Sequence, residues 1–166
     1  PGSFDKEITD LMEEELNNTE NLDLHLEESV EEFIAKDGKV VGVKTNKGEY
    51  PADIVIVAIG VKPNTEFLKD KGFNMLRNGA LIIDSKGRTN VEGVYAAGDC
   101  ATINSVITNK PVYVPLATGA NKLGRIVGEN LAGANNEFQG SLASSCIKVM
   151  DMEAARTGLS EKEVKA

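Results

Sequence analysis

Asp99 is the residue of this chain best placed to do chemistry. It closes the stretch Arg88 to Cys100, whose sequence is RTNVEGVYAAGDC. Val94, Tyr95 and Ala96 read as a short buried strand, and Ala97 and Gly98 are small enough for a ligand to come close to the backbone. Asp99 then stands just past the C-terminal end of that strand, where ligands bind in open α/β sheets. A carboxylate there accepts hydrogen bonds from hydroxyl groups, so it suits a polyol or a ribose and not a bare phosphate. A buried strand also commonly ends in Gly followed by an N-capping Asp, so Gly98-Asp99 alone carries little.

The other chemistry-bearing side chains are few. Cys100 and Cys146 form no CxxC pair, and His25 is the single histidine, so a structural zinc site is not expected. His25 falls on the polar side of the alternation Leu22, Leu24, Leu26 and reads as a surface residue. A helix predicted from about Leu116 to Leu131 contains Gly119, Gly124 and Gly128. Each interior glycine weakens a helix by roughly 1 kcal/mol relative to alanine, so close packing or close approach of a ligand to the first turn would justify them. Its N-terminus offers free N–H groups and the positive end of a dipole, which can bind a carbonyl or an electron-rich ring edge.

The elements that position these residues can be taken in order. Pro1-Gly-Ser3 reads as a cloning scar or a cut end. Asp5 is placed to cap a helix over residues 6–18, with Ile8, Leu11, Met12 and Leu16 on one face. Residues 21–26 and Val30–Ile34 read as strands, and Lys36-Asp37-Gly38 as a hairpin turn into Lys39–Thr45, with Val41 and Val43 facing one way. Asp53–Gly60 is continuously apolar, as in a strand covered on both faces. A short helix capped by Asn64 or Thr65 runs to about Lys71, and Ala80–Asp84 reads as a strand. Residues 101–114 are irregular, and residues 134–141 read as a polar linker. Ser145–Met150 is a further strand. Ser160 and Glu163 make a capping box that starts a last helix.

The 166 residues are enough for one domain with a core. The net charge of −8 is uneven: residues 1–37 hold 13 acidic and 2 basic side chains, and the remainder 13 and 16. The part carrying Asp99 is thus mildly basic, which suits an anionic cofactor. No basic stripe with interleaved aromatics supports nucleic-acid binding. No apolar run reaches membrane-spanning length and nothing resembles a signal peptide, so a membrane partner is not expected. A reduced, cytoplasmic setting fits the two separate cysteines.

Asp99 in its stretch, with Pro115-Leu-Ala-Thr-Gly-Ala-Asn-Lys-Leu-Gly-Arg125 one helix downstream, resembles the second flavin-binding segment of the pyridine-nucleotide disulfide oxidoreductases. The similarity is greatest to the branch of coenzyme A disulfide reductase, NADH oxidase and NADH peroxidase, and runs over nearly the whole chain. It implies an α/β fold: a fragment of a flavoprotein with two dinucleotide-binding domains, plus the start of an α+β dimerisation domain. Residues 1–61 would be the second half of the NAD(P)-binding domain, 62–139 the returning segment of the FAD-binding domain, and 140–166 the opening of the dimerisation domain. The resemblance implies that Gly98 and Asp99 meet the ribityl chain of FAD, and that Leu116 and Ala117 lie against the pyrimidine end of its ring. Ile59 and Gly60 would approach the nicotinamide of NAD(P)H, and Asn121 the thiol substrate.

Neither GxGxxG motif of that family occurs in this sequence, and the family's redox cysteine would lie upstream of it. Cys100 belongs to the Gly-Asp-Cys pattern of the branch and is not its redox residue. The parent expected from this resemblance is an FAD-dependent NAD(P)H oxidoreductase acting on a disulfide, O2 or peroxide, and a homodimer. The 166 residues alone are expected to be inactive and not to retain flavin. The alternative is a non-catalytic module that binds or self-associates through exposed strand edges.

Overall fold

The computed structural model describes residues 4–165. It comprises three α-helices and seven strands: α1 Lys6–Asn17, β1 Val30–Lys36, β2 Lys39–Thr45, β3 Glu49–Pro51, β4 Ile103–Asn104, β5 Pro111–Val112, α2 Ala117–Leu131, β6 Ser145–Val149, β7 Met152–Arg156 and α3 Glu161–Lys165. Packing divides the chain into two units. One holds Asp10–Gly60 with Val149–Met152, and the other holds Val61–Lys148 with the two ends of the chain.

The smaller unit is an antiparallel sheet in the order β1-β2-β3. Its first turn is the expected one: Asp37 and Gly38 both take positive φ, 52° and 77°, as a two-residue hairpin with right-handed strands requires. A register shift between Ile34 and Ala35 changes which side of β2 is covered. Gly42 and Thr45 are its buried residues, whereas Val41 is exposed and Val43 half-buried. A Cβ on Gly42 would stand 2.8 Å from the Tyr50 carbonyl oxygen, which explains glycine in that strand.

Two expectations fail here for one reason. Residues 21–26 and Asp53–Gly60 form no strand. Ile54, Ile56 and Ile59 are 80%, 86% and 93% exposed, so the segment expected to be covered on both faces is bare. An apolar strand is buried by neighbouring strands and by helices over the sheet, and the described residues supply none to this segment.

His25 is held rather than free. Its Nδ1 lies 3.2 Å from Glu28 Oε2 and 3.2 Å from the Tyr50 hydroxyl, with the two rings 4.5 Å apart. Glu28 accepts from Thr45 and Tyr50. The Thr45 hydroxyl, against an opposing burial effect, then the Tyr50 hydroxyl and the charges of His25 and Lys47, hold the Glu28 carboxyl below its ordinary range. A carboxyl held low in the folded state contributes stability that is complete above the unfolded value, about 4.3 for Glu, and is lost as pH falls through the folded value. The melting temperature is therefore expected to be flat near neutrality and to fall in the acid range. Circular-dichroism melts of the wild type and Glu28→Gln check this, the variant showing a shallower acid slope.

The larger unit has its core at Leu81, Ala96 and Ala101, against which Leu68, Phe73, Met75, Ile83 and Cys100 pack. Ala80–Asp84 and Val94–Ala96 are extended and joined by isolated bridges, not by a continuous sheet: Leu81 pairs parallel with Ala101, and Tyr95 antiparallel with Arg88. The short helix after Thr65 is one 3₁₀ turn, Glu66–Leu68. Thr65 does not cap it; its hydroxyl donates to the Gly79 carbonyl at 2.7 Å.

Residues 134–141 are not a free linker. Asn130 binds the backbone of Asn136 twice, at 2.7 and 2.9 Å, and Phe138 N–H donates to the Ser85 carbonyl at 2.7 Å. The Ser160–Glu163 capping box forms as expected, with Ser160 N–H and Oγ donating to Glu163 Oε2 at 2.7 and 2.9 Å. Asp5 starts α1 with its backbone carbonyl, while its side chain accepts from Glu161 N–H at 2.8 Å. No helix among the described residues is long and apolar enough to cross a membrane.

Candidate functional site

The candidate site is drawn from two pieces of chain in the larger unit: the turn carrying Asp99 and the start of α2. The turn is anchored from below. Thr89 N–H and Oγ1 both donate to the Val94 carbonyl at 2.9 Å, and Ala96 N–H donates to the Gly87 carbonyl at 2.9 Å. The loop holding Gly87 is in turn clamped by Asp84, whose Oδ1 accepts from Lys86 N–H and Arg88 N–H at 2.9 Å each. Arg88 adds a guanidinium contact at 2.7 Å. Burial pushes the Asp84 carboxyl up, but the Arg88 N–H and guanidinium and the Lys86 N–H outweigh it, leaving it below its ordinary value.

Above this anchor the chain turns at Gly98, which has φ +84°. Nothing lies within 4 Å of where a Cβ would stand there, so the space beside Gly98 is open. Ala101 N–H donates to the Gly98 carbonyl at 3.1 Å and closes the turn. Asp99 is thereby presented to solvent at its apex. Cys100 points the other way: its Sγ donates to the Ala97 carbonyl at 3.3 Å and packs on the core. Leu81 N–H then takes the Cys100 carbonyl and Thr102 N–H the Leu81 carbonyl, at 2.9 and 2.8 Å. The exposed carboxylate therefore stands on a rigid base.

The start of α2 is left uncapped. Leu116 is its N-cap, extended at φ −124°, ψ 133°, and has no side chain able to accept. The first intrahelical bond runs from Ala120 N–H to the Leu116 carbonyl at 3.0 Å. The N–H groups of Ala117, Thr118 and Gly119 thus find no acceptor within the helix, and no acidic residue stands in the first turn. Gly119 brings this turn against Ile103, since a Cβ there would stand 3.9 Å from Ile103 Cδ1. Leu123, 1% exposed, fixes the next turn.

Tyr113 was not singled out in the sequence, and it lies between the two pieces along the chain. It follows β5 and precedes the α2 N-cap by three residues. Its hydroxyl is buried and has no hydrogen-bond partner. Burial, and then the nearby Asp99 and Cys100, push its phenol above the ordinary value. A buried hydroxyl left unpaired is uncommon in a native structure and points to a missing partner. The one signal in the sequence was a tyrosine between Val112 and Val114, directly before the helix.

Of the expected site residues, Gly98, Asp99, Leu116 and Ala117 fall on these two pieces. Asn121 is exposed one helical turn beyond Ala117. Ile59 and Gly60 belong to the smaller unit, Ile59 exposed and Gly60 at φ +91° with open space around it. Cys146 is exposed on β6. Among the described residues no three His, Cys, Asp or Glu side chains gather as a metal site.

A group carrying hydroxyls and an electron-rich ring fits this arrangement. Asp99 offers an exposed acceptor, Gly98 leaves room, the helix start offers unused donors, and Tyr113 has a hydroxyl in need of a partner.

Comparisons with known proteins give the family. The family model for pyridine nucleotide-disulphide oxidoreductases matches residues 2–150. The chain is 47% identical over 163 residues to the NAD(P)H sulfur oxidoreductase (CoA-dependent) of Pyrococcus furiosus, across 97% of this chain and 36% of that protein. It is 36% identical over 163 residues to the NADH oxidase of Enterococcus faecalis, across 98% of this chain and 36% of that one. The structure of a FAD-dependent pyridine nucleotide-disulphide oxidoreductase from Desulfovibrio vulgaris superposes with a TM-score of 0.87 at 34% identity, over 99% of this chain and 41% of that one. The chain thus spans about a third of the length of the curated relatives it matches. Its α/β fold class is theirs, and the chain belongs to the pyridine nucleotide-disulphide oxidoreductase family.

Proposed function

We propose that this chain is part of an FAD-dependent oxidoreductase that oxidises NAD(P)H and reduces a small molecule containing a sulfur–sulfur bond. The Tyr113 hydroxyl, buried and unpartnered three residues before the uncapped start of α2, carries this reading. The greater identity to the sulfur oxidoreductase, 47% against 36% for the oxidase, favours sulfur over O2 or peroxide as acceptor.

When bound, the flavin supplies the hydride acceptor and the electron relay. The residues of this chain bind and orient it. Asp99 would accept from ribityl hydroxyls, with Gly98 leaving them room, and the Tyr113 hydroxyl would find a partner on the cofactor. The donors at Ala117, beside Leu116, would serve the pyrimidine edge of the ring. Asn121 would serve the thiol substrate, and Ile59 and Gly60 the nicotinamide. Cys100 is committed to the Ala97 carbonyl and is given no redox role. In domain terms, residues 1–61 complete the NAD(P)-binding domain, 62–139 the FAD-binding domain, and 140–166 open the dimerisation domain, in a cytoplasmic homodimer.

This reading is tested by flavin fluorescence polarisation. The chain holds groups for the ring and the ribityl chain but no GxGxxG for the diphosphate. Riboflavin and FAD are therefore expected to bind with affinities within a few-fold of each other. Tight binding of FAD with none of riboflavin would contradict the reading.

A second reading is favoured by Asp53–Gly60, with Ile54, Ile56 and Ile59 bare. An exposed apolar segment with unpaired backbone groups can pair with another chain. Light scattering is expected to find the 166-residue chain oligomeric; a monodisperse monomer with a cooperative melt would exclude this reading.

A further inference from the structure

A cavity of about 370 Å³ lies in the larger unit, away from every residue assigned to flavin. Its walls are the segment from Lys62 to Lys69 and the turn from Met75 to Gly79. The two walls are clipped together. The Thr65 hydroxyl, on a residue 4% exposed, donates to the Gly79 carbonyl at 2.7 Å. Gly79 N–H returns to the Leu76 carbonyl at 2.9 Å, and Leu76 N–H to the Ala80 carbonyl at 2.8 Å. Asn78 Oδ1 takes Ala80 N–H at 3.1 Å, which leaves the Asn78 amide N–H₂ as a donor. Gly79 has φ +91°, and a Cβ there would stand 3.0 Å from Thr65 Oγ1, so glycine is what lets the walls close.

Three cations line this cavity, Lys62, Lys69 and Arg77, against one anion, Glu66. That is a local balance of +2 in a chain of −8. Lys69 reaches Glu66 only at 3.5 Å, with both side chains open to water, where an ion pair is worth little. By contrast, the Arg88, Arg156 and Lys165 cations each lie against a carboxylate. A volume of this size falls in the range of small-molecule sites. Arginine and lysine with amide donors around an open pocket are the groups that bind phosphate oxygens, arginine by two parallel N–H bonds.

We propose that this cavity binds the phosphate group of a small organic phosphate, with Arg77 and Lys62 as its principal ligands. Pro63, Met75 and Leu76 give the organic part an apolar floor. The proposal does not depend on the flavin reading, since none of its residues serves that site.

The test titrates orthophosphate, ADP and adenosine separately into the full chain, following amide chemical shifts. ADP and orthophosphate are expected to saturate shifts at Arg77, Asn78 and Gly79, weakening as ionic strength rises. Arg77→Gln and Lys62→Gln should each weaken ADP binding about tenfold, the loss of one charge-assisted hydrogen bond. Lys110→Gln, a cation outside the cavity, should leave it unchanged. All three are surface changes that leave the melting curve in place. Absence of saturable shifts with ADP would overturn the proposal. So would adenosine binding as well as ADP, or Arg77→Gln and Lys62→Gln binding as tightly as the wild type.

Discussion

Replacing Gly140 with alanine is expected to lower stability by about 2–6 kcal/mol, the largest effect of any single change considered. Two costs add. Gly140 sits at φ +89°, where a side chain is strained, by about 1–3 kcal/mol. Its new Cβ would also stand 2.6 Å from the Asn104 carbonyl oxygen and 3.2 Å from Val106 Cγ2. The first is backbone and cannot swing aside, and such overpacking costs about 1–3 kcal/mol. The displaced atom belongs to β4, which pairs through Asn104 with Pro111 of β5 and so leads directly to Tyr113. For a chain of this size the melting temperature should fall by roughly 4–24 °C. Gly133→Ala is the control. It has φ +99° but nothing within 4 Å of the new atom, so it incurs only the backbone cost. Equal melting shifts for the two variants would show that the contact with β4 is not what restricts Gly140.

Replacing Asp99 with alanine is expected to weaken flavin binding by about 10- to 150-fold, from the 1.5–3 kcal/mol that a hydrogen bond to a charged group contributes. Asp99→Asn retains an acceptor of the same shape without the charge, so it should fall between the two. Neither change should move the melting temperature appreciably. Asp99 is exposed at the apex of a turn whose bonds are made by Gly98, Ala101 and the Ala97 carbonyl, and surface substitutions of that kind cost under about 0.5 kcal/mol. Separate loss of binding and retention of stability distinguishes a ligand-binding carboxylate from a capping one. The polarisation titration of both variants reads the first, and thermal melts read the second.

What could be read from the chain beforehand was what neighbouring residues decide. Helix α1 with Ile8, Met12 and Leu16 inward (Leu11, expected on the same face, is 51% exposed), the Asp37-Gly38 turn, helix α2 to within a residue of its start, and the Ser160–Glu163 capping box are all fixed within a few residues of one another. What could not be read depends on distant partners. Asp5 and Glu161 are 156 residues apart, so the destination of the Asp5 carboxylate has no local sign. Asn130 pins residues 134–141 through side-chain bonds that a polar, linker-like composition does not reveal. Asp53–Gly60 has the composition of a buried central strand, but burial belongs to neighbours. Tyr113 was missed because an unpaired hydroxyl is a property of its surroundings and not of its residue type. Asp99 could be singled out because its spacing to α2 is present in the linear sequence.

The central claim is that Asp99, Tyr113 and the start of α2 form the ring-and-ribityl half of a flavin site. Equilibrium dialysis of the wild-type chain against FAD, followed by gel filtration, tests it most directly. The account predicts saturable uptake of FAD at equilibrium, and a colourless chain once excess cofactor is removed, because no GxGxxG loop holds the diphosphate. No saturable uptake at any FAD concentration would contradict it.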